Sequence, residues 1–202
     1  MMNNPLVLTF DCGTQSIRAL LVDKRGNIVA KEQIAFVPYY SLQPGYAEQK
    51  PSVYVDTIKE VSRRIHQNNP DKIEQIIAVT ITTIRDTCVC VDKDVKPLRD
   101  IIIWLDQREA KCETPLPLVS RVAFKLVGMS EALEDQRRIT KSNWIQENEP
   151  EIWAKTYKYL TLSGYLTYQL THQLIDSSAS QVAHIPYDYK NNKWYEPSNI
   201  KF

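Results

Sequence analysis

The chain has 202 residues, of which 43% are hydrophobic, and this is enough for one large domain with a sizeable buried core. Its 25 Lys and Arg residues nearly balance its 24 Asp and Glu residues, which gives a formal net charge of +1. This balance gives no electrostatic reason to expect a nucleic acid or an anionic membrane as partner, so local groups must bind any charged ligand.

From the sequence we expect neither a secretion signal nor a membrane span. Its first apolar stretch begins at Leu6 and is broken at Asp11, far short of the roughly 18 apolar residues that a span needs. The cysteines lack both metal-ligand spacing and the density of a disulfide framework. They are Cys12, Cys88, Cys90 and Cys112. We therefore expect a cytoplasmic protein with free thiols.

The first third of the chain predicts a meander of three antiparallel strands followed by a helix. Short apolar runs at Leu6–Phe10, Ile17–Val22 and Ile28–Val37 are separated by turn-forming segments. Pro51 stands where the first turn of a helix tolerates proline. Apolar residues then recur at helical spacing at Val53, Ile58, Val61 and Ile65.

The middle of the chain predicts three more strands, and the last third predicts mostly helices. The strands are Ile73–Thr82, buried on both faces, then Thr87–Val91 and Ile101–Leu105. Helices are predicted from Gln107 onwards and over Thr140–Glu147, Pro150–Ala154 and Gly164–Leu170, with a short strand at Tyr157–Leu162. Because strand–helix–strand connections imply parallel pairing, we expect an α/β domain with a mixed β-sheet flanked by helices.

The turn after the first strand, residues 11–16 (DCGTQS), is a candidate phosphate site. Gly13 permits close backbone approach, and Thr14, Gln15 and Ser16 offer amides and side-chain donors to phosphate oxygens. Asp11 would repel a phosphate, but it could hold the Mg²⁺ that neutralises nucleotide phosphates. An ordinary hairpin with polar turn residues explains this turn equally well.

Two more polar clusters follow later strands, at positions where open α/β sheets bind ligands. Arg85 could donate to the hydroxyls of a polyol while Asp86 accepts from them. Trp104 could pack on the C–H face of a sugar while Asp106 hydrogen-bonds its hydroxyls. The plainer alternatives are an exposed salt-bridged turn for the first cluster, and a core tryptophan followed by a helix N-cap for the second.

These three clusters, in this order, resemble the FGGY family of carbohydrate kinases, which includes glycerol kinase and xylulose kinase. Residues 11–18 (DCGTQSIR) resemble its first phosphate motif, and residues 45–51 (GYAEQKP) its loop before the first long helix. Residues 84–87 (IRDT) resemble the arginine–acid–threonine segment of glycerol kinases, and residues 104–108 (WLDQR) the segment after the next strand. Residues 141–150 and 176–180 resemble two later family segments, so the resemblance covers essentially the whole chain.

The resemblance implies a ribonuclease H-like, actin-type ATPase fold and transfer of the γ-phosphate of ATP to a hydroxyl of a sugar or polyol. It implies that Asp11 helps to hold Mg²⁺ and that Gly13, Thr14, Gln15 and Ser16 approach the transferred phosphate. It also implies a sugar pocket lined by Arg85, Asp86, Trp104 and Asp106.

The family's general-base aspartate and its nucleotide-binding C-terminal domain have no counterpart within residues 1–202. We therefore expect the chain to be the N-terminal, sugar-binding domain of such a kinase and to be inactive alone. Its uncovered apolar surface would then favour a homodimer. The segment at Thr83–Asp86 lacks the glutamine–methionine–histidine of xylulose kinases, and Asp86 is one methylene shorter than the glutamate of glycerol kinases. The sequence therefore names no particular sugar.

Two alternatives stay open at this stage. One is a non-catalytic interaction module that keeps the actin-type fold, although the joint presence of Asp11, Gly13, Arg85 and Trp104 argues against loss of function by drift. The other is a different actin-type ATPase, of the acetate kinase or hexokinase kind. Lys141 is interpreted as a solvated lysine at a helix end.

Overall fold

The computed structural model of the protein describes residues 4–113, 116, 118–177, 187–188 and 190–194. The strands are β1 (Leu6–Cys12), β2 (Ser16–Asp23), β3 (Ile28–Ala35), β4 (Glu48–Gln49), β5 (Ile76–Thr83), β6 (Cys88–Val91), β7 (Ile101–Ile102), β8 (Lys158–Thr161), β9 (Tyr187–Asp188) and β10 (Lys193–Trp194). The helices are α1 (Pro51–Asn68), α2 (Leu118–Leu126), α3 (Ser130–Ile139), α4 (Lys141–Asn148), α5 (Pro150–Lys155) and α6 (Leu162–Thr171), and a 3₁₀ helix spans Pro70–Gln75.

The first sheet has the strand order β3-β2-β1-β5. Its meander is antiparallel, whereas β5 pairs with β1 in parallel after the α1 crossover, so the sheet is mixed as expected. Alternate residues of β2 are buried on the side that α1 covers: Ile17, Ala19 and Leu21. This alternation matches the period of two that a half-buried strand requires.

A second, antiparallel sheet has the order β4-β7-β6-β8. Its strands β6 and β7 share one hydrophobic core with the first sheet, α1 and α6. A smaller apolar cluster lies against α4 and α5 and includes Ile102, Ile145 and Tyr159. The described helices include none with the length and apolar character needed to cross a membrane.

The predictions of the meander, of α1 and of the helices and strand between residues 141 and 171 are confirmed, with ends shifted by a few residues. The prediction that Ile73–Thr82 is a strand buried on both faces is wrong. Residues 73–75 finish the 3₁₀ helix, and Ile77 and Val79 of β5 are 60% and 54% exposed. Within the described residues β5 pairs only with β1, so it forms an edge, and its apolar composition predicted burial that this edge does not provide.

Two other predictions need correction. The strand expected over Ile101–Leu105 ends at Ile102, because Trp104 and Leu105 form an exposed turn. No helix begins at Gln107: residues 107–113 are irregular, and α2 starts only at Leu118. Strands were predicted at β6, β7 and β8, but the second sheet was not foreseen, because β4 has only two residues, too few for a periodic signal, and no local pattern shows how the four strands pair.

Candidate functional site

The parallel pairing of β1 and β5 places two polar segments of the chain side by side. Cys12 lies opposite Thr83 at the carboxyl ends of these strands, and the N–H of Ile84 donates to the carbonyl of Cys12 at 3.2 Å. The turn at residues 13–15 and the segment at residues 84–87 therefore leave the same edge of the sheet. Ligands bind at this kind of edge in open α/β sheets.

The turn between β1 and β2 leaves backbone donors available. The N–H of Gly13 donates to the carbonyl of Ser16 at 3.0 Å, and a Cβ on Gly13 would lie 3.3 Å from that oxygen. The N–H groups of Thr14 and Gln15 have no hydrogen-bond partner among the residues that the structure describes. Successive unpaired N–H groups in a turn form a concavity that suits an anion.

Asp11 stands at the base of this turn and is ion-paired with Arg18, at 2.7 Å between Oδ2 and Nη1. Both side chains stay more than a third exposed, so the pair is accessible to a ligand. Oδ1 of Asp11 accepts no hydrogen bond from the described part of the chain, which leaves it able to ligate a cation. Next to it, burial and the charge of Asp11 raise the pKa of the Cys12 thiol to about 12. Cys12 is therefore a neutral core residue.

Trp104 contacts the turn rather than the core. Its indole Nε1 donates to Oγ1 of Thr14 at 2.9 Å, and the side chain is half exposed. On the inner side, Nε2 of Gln49 donates to the carbonyl of Thr14 at 3.0 Å. Thr14 is thus fixed from two directions by residues from two other segments.

Arg85 and Asp86 line a cavity of about 350 Å³ at the end of β5. The polar residues of its lining are Thr82, Thr83, Arg85, Asp86, Thr87, Thr161, Ser163 and Ser177. Asp86 has a φ of 54°, in the left-handed region that costs most L-residues about 1–2 kcal/mol and that Asp tolerates better than most. The structure therefore brings the predicted pair of donor and acceptor together in one cavity.

The far wall of the cavity comes from the start of α6 and the loop after it. Thr161 caps α6 by accepting from the N–H of Gly164 at 3.1 Å, and it also donates to the carboxylate of Asp176. Ser163 donates to the same carboxylate at 2.8 and 2.9 Å. Sequence reasoning missed Thr161 and Ser163; the threonine at a strand-to-helix junction was the available signal. Residues 178–180, the rest of the predicted segment at residues 176–180, lie outside the described residues.

Asp106 does not line this cavity. Its side chain is 0% exposed and is ion-paired with Nη2 of Arg108 at 2.8 Å, while its Oδ2 accepts from the N–H of Ala47 at 2.7 Å. Arg108 also pairs with Glu48 at 2.7 Å. A carboxylate enclosed in this way contacts no ligand while the cluster stays closed, so the geometry favours a structural role for Asp106 over the predicted sugar contact.

Other buried groups complete this charge cluster. The guanidinium of Arg108 lies between two rings, 3.8 Å from the centroid of Tyr46 and 4.5 Å from that of Trp144. Lys141 is 6% exposed, and its Nζ donates to the carbonyl of Asp106 at 2.8 Å, so the interpretation of Lys141 as a solvated lysine is wrong. Burial lowers the pKa of Lys141. The cluster fixes the segment that carries Trp104.

A search of the described residues finds no group of three or more His, Cys, Asp and Glu side chains that could hold a metal ion. The four cysteines are all free thiols. Beside the turn, Asp11 has a carboxylate oxygen, Oδ1, available to a cation, and a cation held there would need further ligands from waters or from phosphate oxygens.

The sequence is similar to that of several carbohydrate kinases. A xylulose kinase from Lactococcus lactis is 26% identical over 193 residues, covering 94% of this chain and 38% of that protein. Glycerol kinase 1 from Saccharolobus solfataricus is 34% identical over 180 residues, covering 85% of this chain and 34% of that protein. The chain thus spans less than two fifths of the length of these curated relatives.

Solved structures agree on the fold. A xyloylose kinase from Brucella ovis superimposes with a TM-score of 0.75 at 21% identity, covering 94% of this chain and 38% of that one. Plasmodium falciparum glycerol kinase with ADP gives a TM-score of 0.71 at 22% identity, covering 96% and 40%. The expected ribonuclease H-like, actin-type ATPase fold is confirmed. The sequence profile described as "FGGY family of carbohydrate kinases, N-terminal domain" matches residues 6–196, and the chain therefore belongs to that family.

Proposed function

We propose that this chain is the polyol-binding part of an ATP-dependent kinase that transfers the γ-phosphate of ATP to a hydroxyl of a sugar or polyol. The observation that carries the proposal is the adjacency of the anion-suited turn at residues 13–16 to the cavity of Arg85 and Asp86. A phosphoryl donor and a hydroxyl acceptor must meet at one place for transfer to occur, because catalysis of this reaction is chiefly positioning and charge neutralisation.

Each group has a defined task in this proposal. Arg85 donates hydrogen bonds to hydroxyl oxygens of the acceptor, and Asp86 accepts from its hydroxyl hydrogens. Trp104, which contacts Thr14 and is not part of the cavity lining, provides an apolar face at the turn. The unpaired N–H groups of Thr14 and Gln15, with Gly13 and Ser16, approach the transferred phosphate. Asp11 would hold Mg²⁺ through Oδ1, and the ion would supply neutralisation of the phosphate charge when bound.

We assign the remaining tasks to parts of the kinase outside residues 1–202. The general-base aspartate is expected beyond Phe202 and the adenosine site in the C-terminal domain, so residues 1–202 alone are inactive. The match to less than two fifths of the related kinases supports this division. The free thiols suit a reducing cytoplasm. In the absence of the second domain, exposed apolar side chains favour a homodimer.

Ligand binding to the ¹⁵N-labelled chain tests the proposal. Glycerol, xylulose and gluconate are titrated separately, and we expect at least one of them to shift the backbone amide signals of Arg85, Asp86 and Thr87. Arg85→Ala should abolish the shifts, whereas Arg63→Ala, which removes an exposed arginine from α1, should leave them unchanged. If a wider panel of sugars and polyols also left all three signals unmoved, the non-catalytic interaction module would become the better account.

A further inference from the structure

A short chain of buried hydrogen bonds lies behind the turn at residues 13–16. The hydroxyl of Tyr54 donates to Oε1 of Gln49 at 2.6 Å, and Nε2 of Gln49 donates to the carbonyl of Thr14 at 3.0 Å. Gln49 is 2% exposed and Tyr54 is 0% exposed, so both side chains are buried behind the turn. The donor and acceptor of each of these hydrogen bonds are fixed. A carbonyl only accepts, so the amide nitrogen of Gln49 must face Thr14.

The peptide group between Thr14 and Gln15 links this buried chain to the outer side of the turn. In a trans peptide the C=O and the following N–H point to opposite sides of the C–N bond, and none of the described peptide bonds is cis. Because Gln49 draws the carbonyl of Thr14 towards the interior, the N–H of Gln15 faces the other way. That N–H is one of the two donors in the turn with no partner among the described residues.

The next peptide group, between Gln15 and Ser16, is also held by a hydrogen bond. The N–H of Phe36 donates to the carbonyl of Gln15 at 2.9 Å, and the ring of Phe36 packs edge-on against Tyr54 at 5.7 Å between centroids. Tyr54 therefore supports the turn both through Gln49 and through Phe36. Two consecutive carbonyls of the turn are thus held, one by the side chain of Gln49 and the other by the backbone N–H of Phe36.

We propose that Gln49, oriented by Tyr54, is a positioning residue that turns the N–H of Gln15 towards the phosphate. This inference rests on the proposed function, since it assigns the turn a phosphate ligand. It goes further in naming a residue outside the turn that sets the orientation of a phosphate-binding N–H. Gln49 contacts neither the phosphate nor the acceptor in this account.

The test uses the ¹⁵N-labelled chain with inorganic phosphate as the probe. Gln49→Met removes the amide at similar volume, and Tyr54→Phe removes only the hydroxyl that orients it. Gln75→Met is the matched control, because Nε2 of Gln75 makes the same kind of bond to the carbonyl of Asp71, at 2.9 Å, away from the turn. We expect phosphate affinity, read from the Gln15 amide signal, to fall about three- to tenfold in Gln49→Met and about twofold in Tyr54→Phe, and to stay unchanged in Gln75→Met.

The exchange rate of the Gly13 N–H, measured without phosphate, reports separately on the turn. We expect faster exchange in Gln49→Met, because the carbonyl of Thr14 is then released. Unchanged exchange and unchanged affinity in both Gln49→Met and Tyr54→Phe would overturn the inference. If Gln49→Met does not fold, Tyr54→Phe decides by the same two readouts. The unsubstituted chain is titrated first. If phosphate does not shift its Gln15 amide signal, the phosphate site itself is refuted.

Discussion

The indole Nε1 of Trp104 donates a hydrogen bond to Oγ1 of Thr14, which is 90 positions earlier in the chain, at 2.9 Å. The bond joins the residue predicted to face the sugar to the turn predicted to face the phosphate. Trp104 is half exposed, so a ligand can reach it. Trp104 therefore contacts the turn directly, and a change at Trp104 affects the turn as well.

Two substitutions separate the contributions of Trp104. Trp104→Phe keeps an aromatic face but removes the donor to Thr14, so we expect sugar binding to survive and the free energy of unfolding to fall by at most about 1 kcal/mol. Trp104→Ala removes the face as well and should abolish sugar binding. Titration of both variants with the ligand that binds best to the unsubstituted chain checks this. If Trp104→Ala binds the ligand as tightly as the unsubstituted chain does, Trp104 is not part of the sugar site.

Asp86 combines a left-handed backbone with a carboxylate in the cavity, and the two features can be tested independently. Asn tolerates this backbone region, so Asp86→Asn should change the free energy of unfolding by less than about 0.5 kcal/mol while weakening polyol binding at least about tenfold. Asp86→Val adds a β-branched side chain at positive φ and should cost a further 1–2 kcal/mol or so. Urea unfolding and ligand titration measure the two effects. Equal stability of the Asn and Val variants would contradict the backbone argument.

The buried charge cluster predicts that Asp106 affects stability more than ligand contact. Asp106→Asn leaves Arg108 and Lys141 without their full charge balance in a dry site, so we expect a loss of about 3–5 kcal/mol in the free energy of unfolding. Asp94→Asn removes an exposed carboxylate 3.6 Å from Lys96 and should cost less than about 0.5 kcal/mol. A stable Asp106→Asn variant that has lost only sugar binding would restore the role first predicted from the sequence.

Cys12 gives the chain an alkaline instability. Because burial raises the pKa of its thiol from 9.0 to about 12, the folded state holds the proton more tightly than the unfolded state does. The resulting stability is complete below about pH 9 and is lost as the pH rises towards about 12. Urea unfolding across this range should show a smaller alkaline loss in Cys12→Ala than in the unsubstituted chain. Identical pH profiles would show that Cys12 does not contribute.

Exposed apolar side chains predict self-association of the isolated chain. In α2, Val119 and Leu126 are each 82% exposed, and Val79 of β5 is 54% exposed on a sheet edge. Monomeric proteins rarely leave such surfaces uncovered. Light scattering should show a dimer or a larger species, and Val79→Lys should shift the population towards monomer because a charge on an edge strand opposes pairing. A monomer at every concentration would rule this out.

Local signals in the sequence predicted much of the fold. The meander and α1 have clear periods of two and 3.6 residues, and each is buried against the other. The prediction for β5 failed because a run of Ile and Val indicates a strand but not its place in the sheet. The second sheet was not foreseen because strands of two residues depend on pairing partners that are distant in the sequence.

The residues of the candidate site likewise fall into those that local patterns could predict and those that depend on distant contacts. Asp11, Gly13, Arg85 and Asp86 could be proposed as site residues because Asp11 lies near the end of β1 and the others follow strands at turns, where side chains face the ligand edge. The far wall at Ser163 depends on contacts with a distant loop, which no local pattern reveals. The burial of Asp106 could not be predicted for a similar reason. Its residue type suits a hydroxyl contact, and its burial depends on Arg108 and on a loop almost 60 residues away.

The most direct test of the proposed function is ATP-dependent phosphorylation across a panel of sugars and polyols, measured as ADP release. The assay compares residues 1–202 with the longest protein that the gene encodes around them. We expect turnover of at least one acceptor by the longer protein, its loss in Asp86→Asn, and none by residues 1–202 alone. A longer protein that phosphorylates no acceptor, or a gene that encodes nothing beyond Phe202, would contradict the kinase assignment and favour a non-catalytic module.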